Sequence, residues 1–110
     1  MEQIYNKLVR DKIPDKIKSN GEIPIISILD EVSYKKELEK KLYEEYKEVI
    51  EASGDDRVEE LADMLEVIKA LAKLENKTLD DIVEVAKEKV KKRGAFDKKI
   101  YLEKVIKWYI

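Results

Sequence analysis

The chain has 110 residues, 44% of them hydrophobic, enough for one modest core and one domain spanning 1–110. It has no cysteine and no histidine, which excludes disulfides, thiol nucleophiles, zinc–thiolate sites, Ser-His triads and histidine-bearing di-iron bundles. Charged residues make up 44% and nearly cancel to −2, so any acid–base chemistry falls to Asp, Glu, Lys, Tyr or a metal-bound water.

In chain order, a short apolar alternation leads into a predicted helix over Arg10–Ser19. Pro14 sits in its first turns and Asn20-Gly21 stops it. "EIPIISILD" is rich in β-branched residues and reads as a strand or extended arm, with Pro24 placing it at an edge. A long helix is predicted from Ser33, as its cap, to Ala52. "SGDD" is a turn, and a second long helix runs from Asp56 to Glu75. Thr78 caps a third, to Arg93, with Asp80 and Asp81 at its positive end. The remainder suggests a strand near Lys99–Leu102 and a terminal helix. No apolar run approaches the ~20 residues that span a membrane, and no signal-peptide core is present, so a cytoplasmic location is expected.

Charge is divided along the chain. Residues 1–21 carry +2, residues 22–86 carry −10 and residues 87–110 carry +6. An acidic middle between basic ends suggests a cation site beside an anion site; a solvated helical surface gives the same pattern.

The acids of the two central helices are placed unusually. Leu38, Leu42, Glu45 and Val49 form one helical row, so Glu45 lies on an apolar stripe, with Glu48 one turn further. Glu60, Met64, Val67 and Leu71 form a second row, with Asp63 beside Val67. About Gly54 as the centre of an antiparallel hairpin, Glu48 and Glu60 stand six residues away on either side, and Glu45 and Asp63 nine. Partners equidistant from the turn are level, and each three-residue step rises about 4.5 Å. Four carboxylates therefore form a compact square if these faces meet. Within three or four residues, Glu45 has only Lys41 as a cation and Glu60 only Arg57. Such a cluster must hold protons or recruit cations, and all-oxygen ligands favour Mg²⁺ or Mn²⁺. In a glutamate-rich chain the same spacing also arises on solvated faces.

"EEYKE" at Glu44–Glu48 followed by "ELAD" at Glu60–Asp63 resembles the EExxE…ExxD signature of the MazG-like all-α nucleoside triphosphate pyrophosphohydrolases, relatives of phosphoribosyl-ATP pyrophosphohydrolase. "YNKLVRDKIP" at Tyr5–Pro14 and "RGAF" at Arg93–Phe96 resemble the ends of a small single-domain branch of that superfamily. The resemblance implies a mainly α fold: an antiparallel helical bundle with a short N-terminal extended segment or β-hairpin. It implies Mg²⁺-dependent hydrolysis of a nucleoside triphosphate to the monophosphate and pyrophosphate. Glu45, Glu48, Glu60 and Asp63 would be metal ligands, with Glu45 or Glu48 orienting or deprotonating the attacking water. It also implies a homodimer or homotetramer.

The basic ends offer phosphate contacts: Lys7, Arg10 and Lys12 at one, Lys89, Arg93 and Lys98 at the other. Arginine occurs only at positions 10, 57 and 93, which singles out Arg10 and Arg93. Phe96, the sole phenylalanine, suits base stacking or core packing; Trp108 and Tyr109 suit core or oligomer contacts. Two other functions fit parts of the sequence. One is a non-catalytic helical oligomerisation or interaction module. The other is nucleic-acid binding through "KEKVKKRGAFDKK", opposed by the absence of interleaved aromatics and a pI near 5.4; neither a nucleic acid nor a membrane is expected as partner. If Arg93 grips phosphate, Arg93→Ala raises KM in steady-state pyrophosphate release while the melting temperature barely moves.

Overall fold

In the computed structural model, which describes residues 1–108, the chain divides into two compact units, Met1–Leu79 and a second from Asp80 onward. Secondary structure among the described residues is entirely helical: α1 (Ile13–Ser19), α2 (Glu31–Glu51), α3 (Gly54–Leu74) and α4 (Leu79–Arg93).

α1 starts three residues later than its sequence suggests. Arg10–Lys12 form a lead-in, in which Ile13 N donates to the Arg10 carbonyl, and Pro14 occupies the first helical turn. Its end follows glycine chemistry. Gly21 adopts φ +80°, and the Gly21 and Glu22 amides donate back to the Lys18 and Ile17 carbonyls.

Residues 22–30 are extended but join no ladder, so the extended-arm reading holds and the strand does not. β-branched residues suit a pleated neighbour, and none is available here. The strand at Lys99–Leu102 and the terminal helix are likewise absent among the described residues; Lys99 instead takes a left-handed φ of 58°. Tyr109 lies outside the described residues.

α2 is capped by Asp30, not Ser33. The Asp30 carboxylate accepts from the Ser33 amide at 2.7 Å, so Ser33 is the capped residue rather than the cap. That bond holds the Asp30 carboxyl below its ordinary pKa.

In the first unit α2 and α3 are the one pair of helices in contact. Only Ala52 and Ser53 separate them, which makes them an antiparallel hairpin. Gly54 opens α3 at φ +58°, a left-handed position where a side chain would be strained. Arg57 then reaches back: its Nε donates to the Val49 and Ala52 carbonyls at 3.1 and 2.9 Å. Those carbonyls belong to the end of α2, where the helix cannot satisfy them itself. Along the shared seam Leu38, Val67 and Ala72 are buried, while Leu42, Val49, Met64 and Leu71 are half-buried. These are the two rows expected to face each other.

Other apolar side chains have no cover. Tyr43, Tyr46 and Ile50 on α2, and Val58, Leu61 and Leu65 on α3, stay exposed. In the second unit Phe96 is 98% and Trp108 90% exposed, so neither packs in a core of this chain. α4 buries no residue; Lys87–Glu84 and Lys91–Glu88 ion pairs lie along it at 3.3 and 3.2 Å. No helix among the described residues is long and apolar enough to cross a membrane. Arg57→Ala removes the clasp across the turn and is expected to lower stability by about 1 kcal/mol, read as a fall in the chemical-denaturation midpoint at unchanged slope.

Candidate metal centre

Midway along the α2–α3 seam the apolar packing gives way to acids. Glu45 is 7% exposed, in the place a leucine would fill. Facing it from α3 are Glu60 and Asp63, both half-buried. Glu45, Glu60 and Asp63 each offer a carboxylate oxygen, and these oxygens all lie within 4.8 Å of one another. Glu48, more exposed, stands close enough to Glu45 and Glu60 to raise the pKa of both. The antiparallel register thus gathers all four acids.

This grouping perturbs its members. Burial, then the charge of and hydrogen bond to Glu48, then the charge of Asp63, push the Glu45 carboxyl up to about 7; Lys41 opposes weakly. Glu60 is raised first by its hydrogen bond to Glu48, then by burial and by the charges of Glu48, Asp63 and Asp56. The cations nearest in sequence give little relief. Lys41 Nζ lies 3.8 Å from Glu44, and Arg57 is turned to the end of α2. Glu45 Oε2 and Glu60 Oε2 are shut from solvent and have no hydrogen-bond partner. An unpartnered buried carboxylate oxygen is costly, and a hard cation is the species that satisfies several at once. Three converging oxygens and an acidic fourth neighbour fit a divalent ion such as Mg²⁺, so the cluster could hold one.

Beside the cluster, towards the hairpin turn, lies an open cleft of about 330 Å³ bounded by Glu48, Glu51, Ala52, Asp56, Glu59 and Glu60. Glu51, Asp56 and Glu59 were not singled out from sequence. Asp56 and Glu60 stand four apart on one helix face, as do Glu44 and Glu48, so helical spacing carried the signal.

Of the basic candidates, Arg10 alone is ion-paired to the acids: its Nη2 lies 2.7 Å from Asp63 Oδ1. Lys7 sits over the Tyr5 ring at 5.6 Å. Lys12 is exposed at the start of α1 and makes no side-chain cap. Lys89, Arg93, Phe96 and Lys98 belong to the second unit and are exposed there. No family model matches the chain, and no curated protein or solved structure matches it either.

The raised Glu45 carboxyl makes stability depend on pH. Its folded pKa of about 7 lies above the ordinary 4.5, so the folded state binds more protons between those values. Stability from this group is gained as pH falls from about 7 towards 4.5 and lost as pH rises through 7. In chelator, the melting temperature is expected to be higher at pH 5.5 than at pH 8. Glu45→Gln should raise it at pH 8 by about 4–8 °C, the shift that roughly 1 kcal/mol produces in a chain of this size.

Proposed function

We propose that this protein hydrolyses a nucleoside triphosphate, or a related nucleotide phosphoanhydride, to the monophosphate and pyrophosphate, as a Mg²⁺-dependent house-cleaning enzyme of the MazG-like all-α type. The observation that carries this reading is Glu45: a carboxyl 93% buried at a helix–helix seam, with one oxygen unpartnered and with oxygens of Glu60 and Asp63 within 4.8 Å of one of its own. Structural packing gives no reason for it. A cation site does.

Glu45, Glu60 and Asp63 hold the ion, and Glu48 borders both it and the cleft. When bound, Mg²⁺ (or Mn²⁺) neutralises phosphate charge and lowers the pKa of a water. The chain's own groups do the rest. The carboxylates fix where the triphosphate tail rests. Glu48, close to Glu45 and Glu60 and open to the cleft, is one candidate to accept a proton from the attacking water, with Glu45 as the other. Arg10, Lys7 and Lys12 supply positive charge from the N-terminal segment of the same unit.

A single α2–α3 hairpin is half of a four-helix layer. The exposed Tyr43, Tyr46, Ile50, Val58, Leu61 and Leu65 call for a second copy, giving a homodimer or homotetramer in a cytoplasmic setting. The same exposed side chains favour a second reading, an oligomerisation module without catalysis. Metal dependence separates the two, because an ion that binds only the native state raises its melting temperature.

The decisive experiment is a pyrophosphate-release screen across nucleoside triphosphates with Mg²⁺. Glu48→Gln and Asp63→Asn should each lower kcat at least about 100-fold, the scale on which general acid–base groups act, while the fold stays intact by circular dichroism. Wild-type rates in either variant remove that residue from the site, and no release from any nucleotide leaves the non-catalytic module.

A further inference from the structure

The acidic cluster has a cation of its own that helical spacing does not supply. Arg10, 53 residues upstream of Asp63, places Nη2 2.7 Å from Asp63 Oδ1. The two side chains are 59% and 44% exposed. A pair this open contributes at most about 1 kcal/mol, so it is a poor structural pin and an easily broken contact. Yet Asp63 belongs to the group whose oxygens converge within 4.8 Å, and two of the acids there keep a buried oxygen unpartnered. Arg10 therefore neutralises one accessible edge of the cluster and leaves its interior unsatisfied.

We propose that Arg10 is a displaceable counter-ion. It competes with the divalent cation for Asp63, and, once displaced, its guanidinium passes to the triphosphate tail. This rests on the metal centre proposed above. A guanidinium 2.7 Å from Asp63 Oδ1 and a divalent ion held by Glu45, Glu60 and Asp63 would both draw on one carboxylate, and the two positive charges repel. The guanidinium cannot shed its charge by deprotonation, so moving away is how that repulsion is relieved. Its five donors match a phosphate as well as a carboxylate, and the nearest incoming anion is the one bound at the ion beside it. Arg10 lies in the lead-in to α1, outside any helix, so the swing needs no helix to unwind. Before loading, the pairing offsets part of the repulsion among the acids, and metal loading frees Arg10 for a phosphate contact. Arg10 is thus a positioning residue before loading and a substrate contact after it.

The test measures two affinities on the full-length chain at pH 8 and 0.15 M salt. Mn²⁺ binding, without nucleotide, is followed by calorimetry and by the loss of the free-ion electron paramagnetic resonance signal. Inorganic tripolyphosphate binding is then measured in excess Mg²⁺, which avoids any dependence on base. The variants are Arg10→Ala and the length-conserving Arg10→Gln. Lys16→Ala, from the same segment and without an ion pair among the described residues, controls for general loss of positive charge. Both Arg10 variants should bind Mn²⁺ about fivefold more tightly than wild type, the scale of an exposed ion pair, and tripolyphosphate about tenfold more weakly. Lys16→Ala should match wild type in Mn²⁺ binding. Unchanged or weaker Mn²⁺ affinity in the Arg10 variants overturns the competition. So does an equal gain in Lys16→Ala, and unchanged tripolyphosphate affinity overturns the transfer. Wild-type protein that binds no Mn²⁺ overturns this inference and the metal centre together. Wild-type binding with no gain in the Arg10 variants removes only the role of Arg10.

Discussion

The antiparallel contact of α2 with α3 is the constraint on which the rest depends. Across it one register does two incompatible things. It packs Leu38, Val67 and Ala72 out of water, and it drives Glu45 into the same seam. Burial favours the first and penalises the second by an amount that is large on the scale of a small domain's stability. The chain meets the conflict partly by protonation of Glu45 and partly by the arginine that comes over from the N-terminal segment. Neither remedy reaches the inward oxygens of Glu45 and Glu60. A protein selected for stability alone would carry leucine there.

How much of this was readable in advance depends on the range of the interaction. The long helices, the turn and the facing rows are local or nearly local, and 3.6-residue periodicity fixes them. The level pairing of Glu48 with Glu60 and Glu45 with Asp63 needed one further assumption, that a short turn makes a hairpin. The start of α2 moved from Ser33 to Asp30 because an aspartate three residues ahead is an equally good cap, and only geometry chooses between them. Residues 22–30 looked like a strand because Ile-rich runs suit pleated sheets; strand formation needs a partner, and composition cannot supply one. The pairing of Arg10 with Asp63 spans 53 residues and obeys no periodicity, so it was beyond sequence reading, although the scarcity of arginine had marked Arg10. Lys41 and Arg57, the only cations within helical reach of Glu45 and Glu60, give the little relief that their spacing suggests: Lys41 lies 3.8 Å from Glu44, and Arg57 turns to the end of α2.

The apolar side chains left uncovered follow from the same economy of structure. In the first unit two helices in contact bury three hydrophobic residues, and both carry apolar rows on other faces. A hairpin has two seams to offer, and only one is filled from within. The charged cluster lies in the filled seam, so the uncovered apolar rows lie on other sides of the same pair of helices.

The brevity of the Ala52-Ser53 connection has an evolutionary consequence. Each helical residue turns the chain by about 100° and advances it about 1.5 Å, so one inserted or deleted residue near Gly54 would swing Glu60 and Asp63 off the face they share with Glu45 and Glu48. Drift in length, which most surface loops absorb freely, is closed to this one. Any descendant that keeps the acid cluster must keep the spacing between the two acidic motifs, or change it by whole turns matched on both arms.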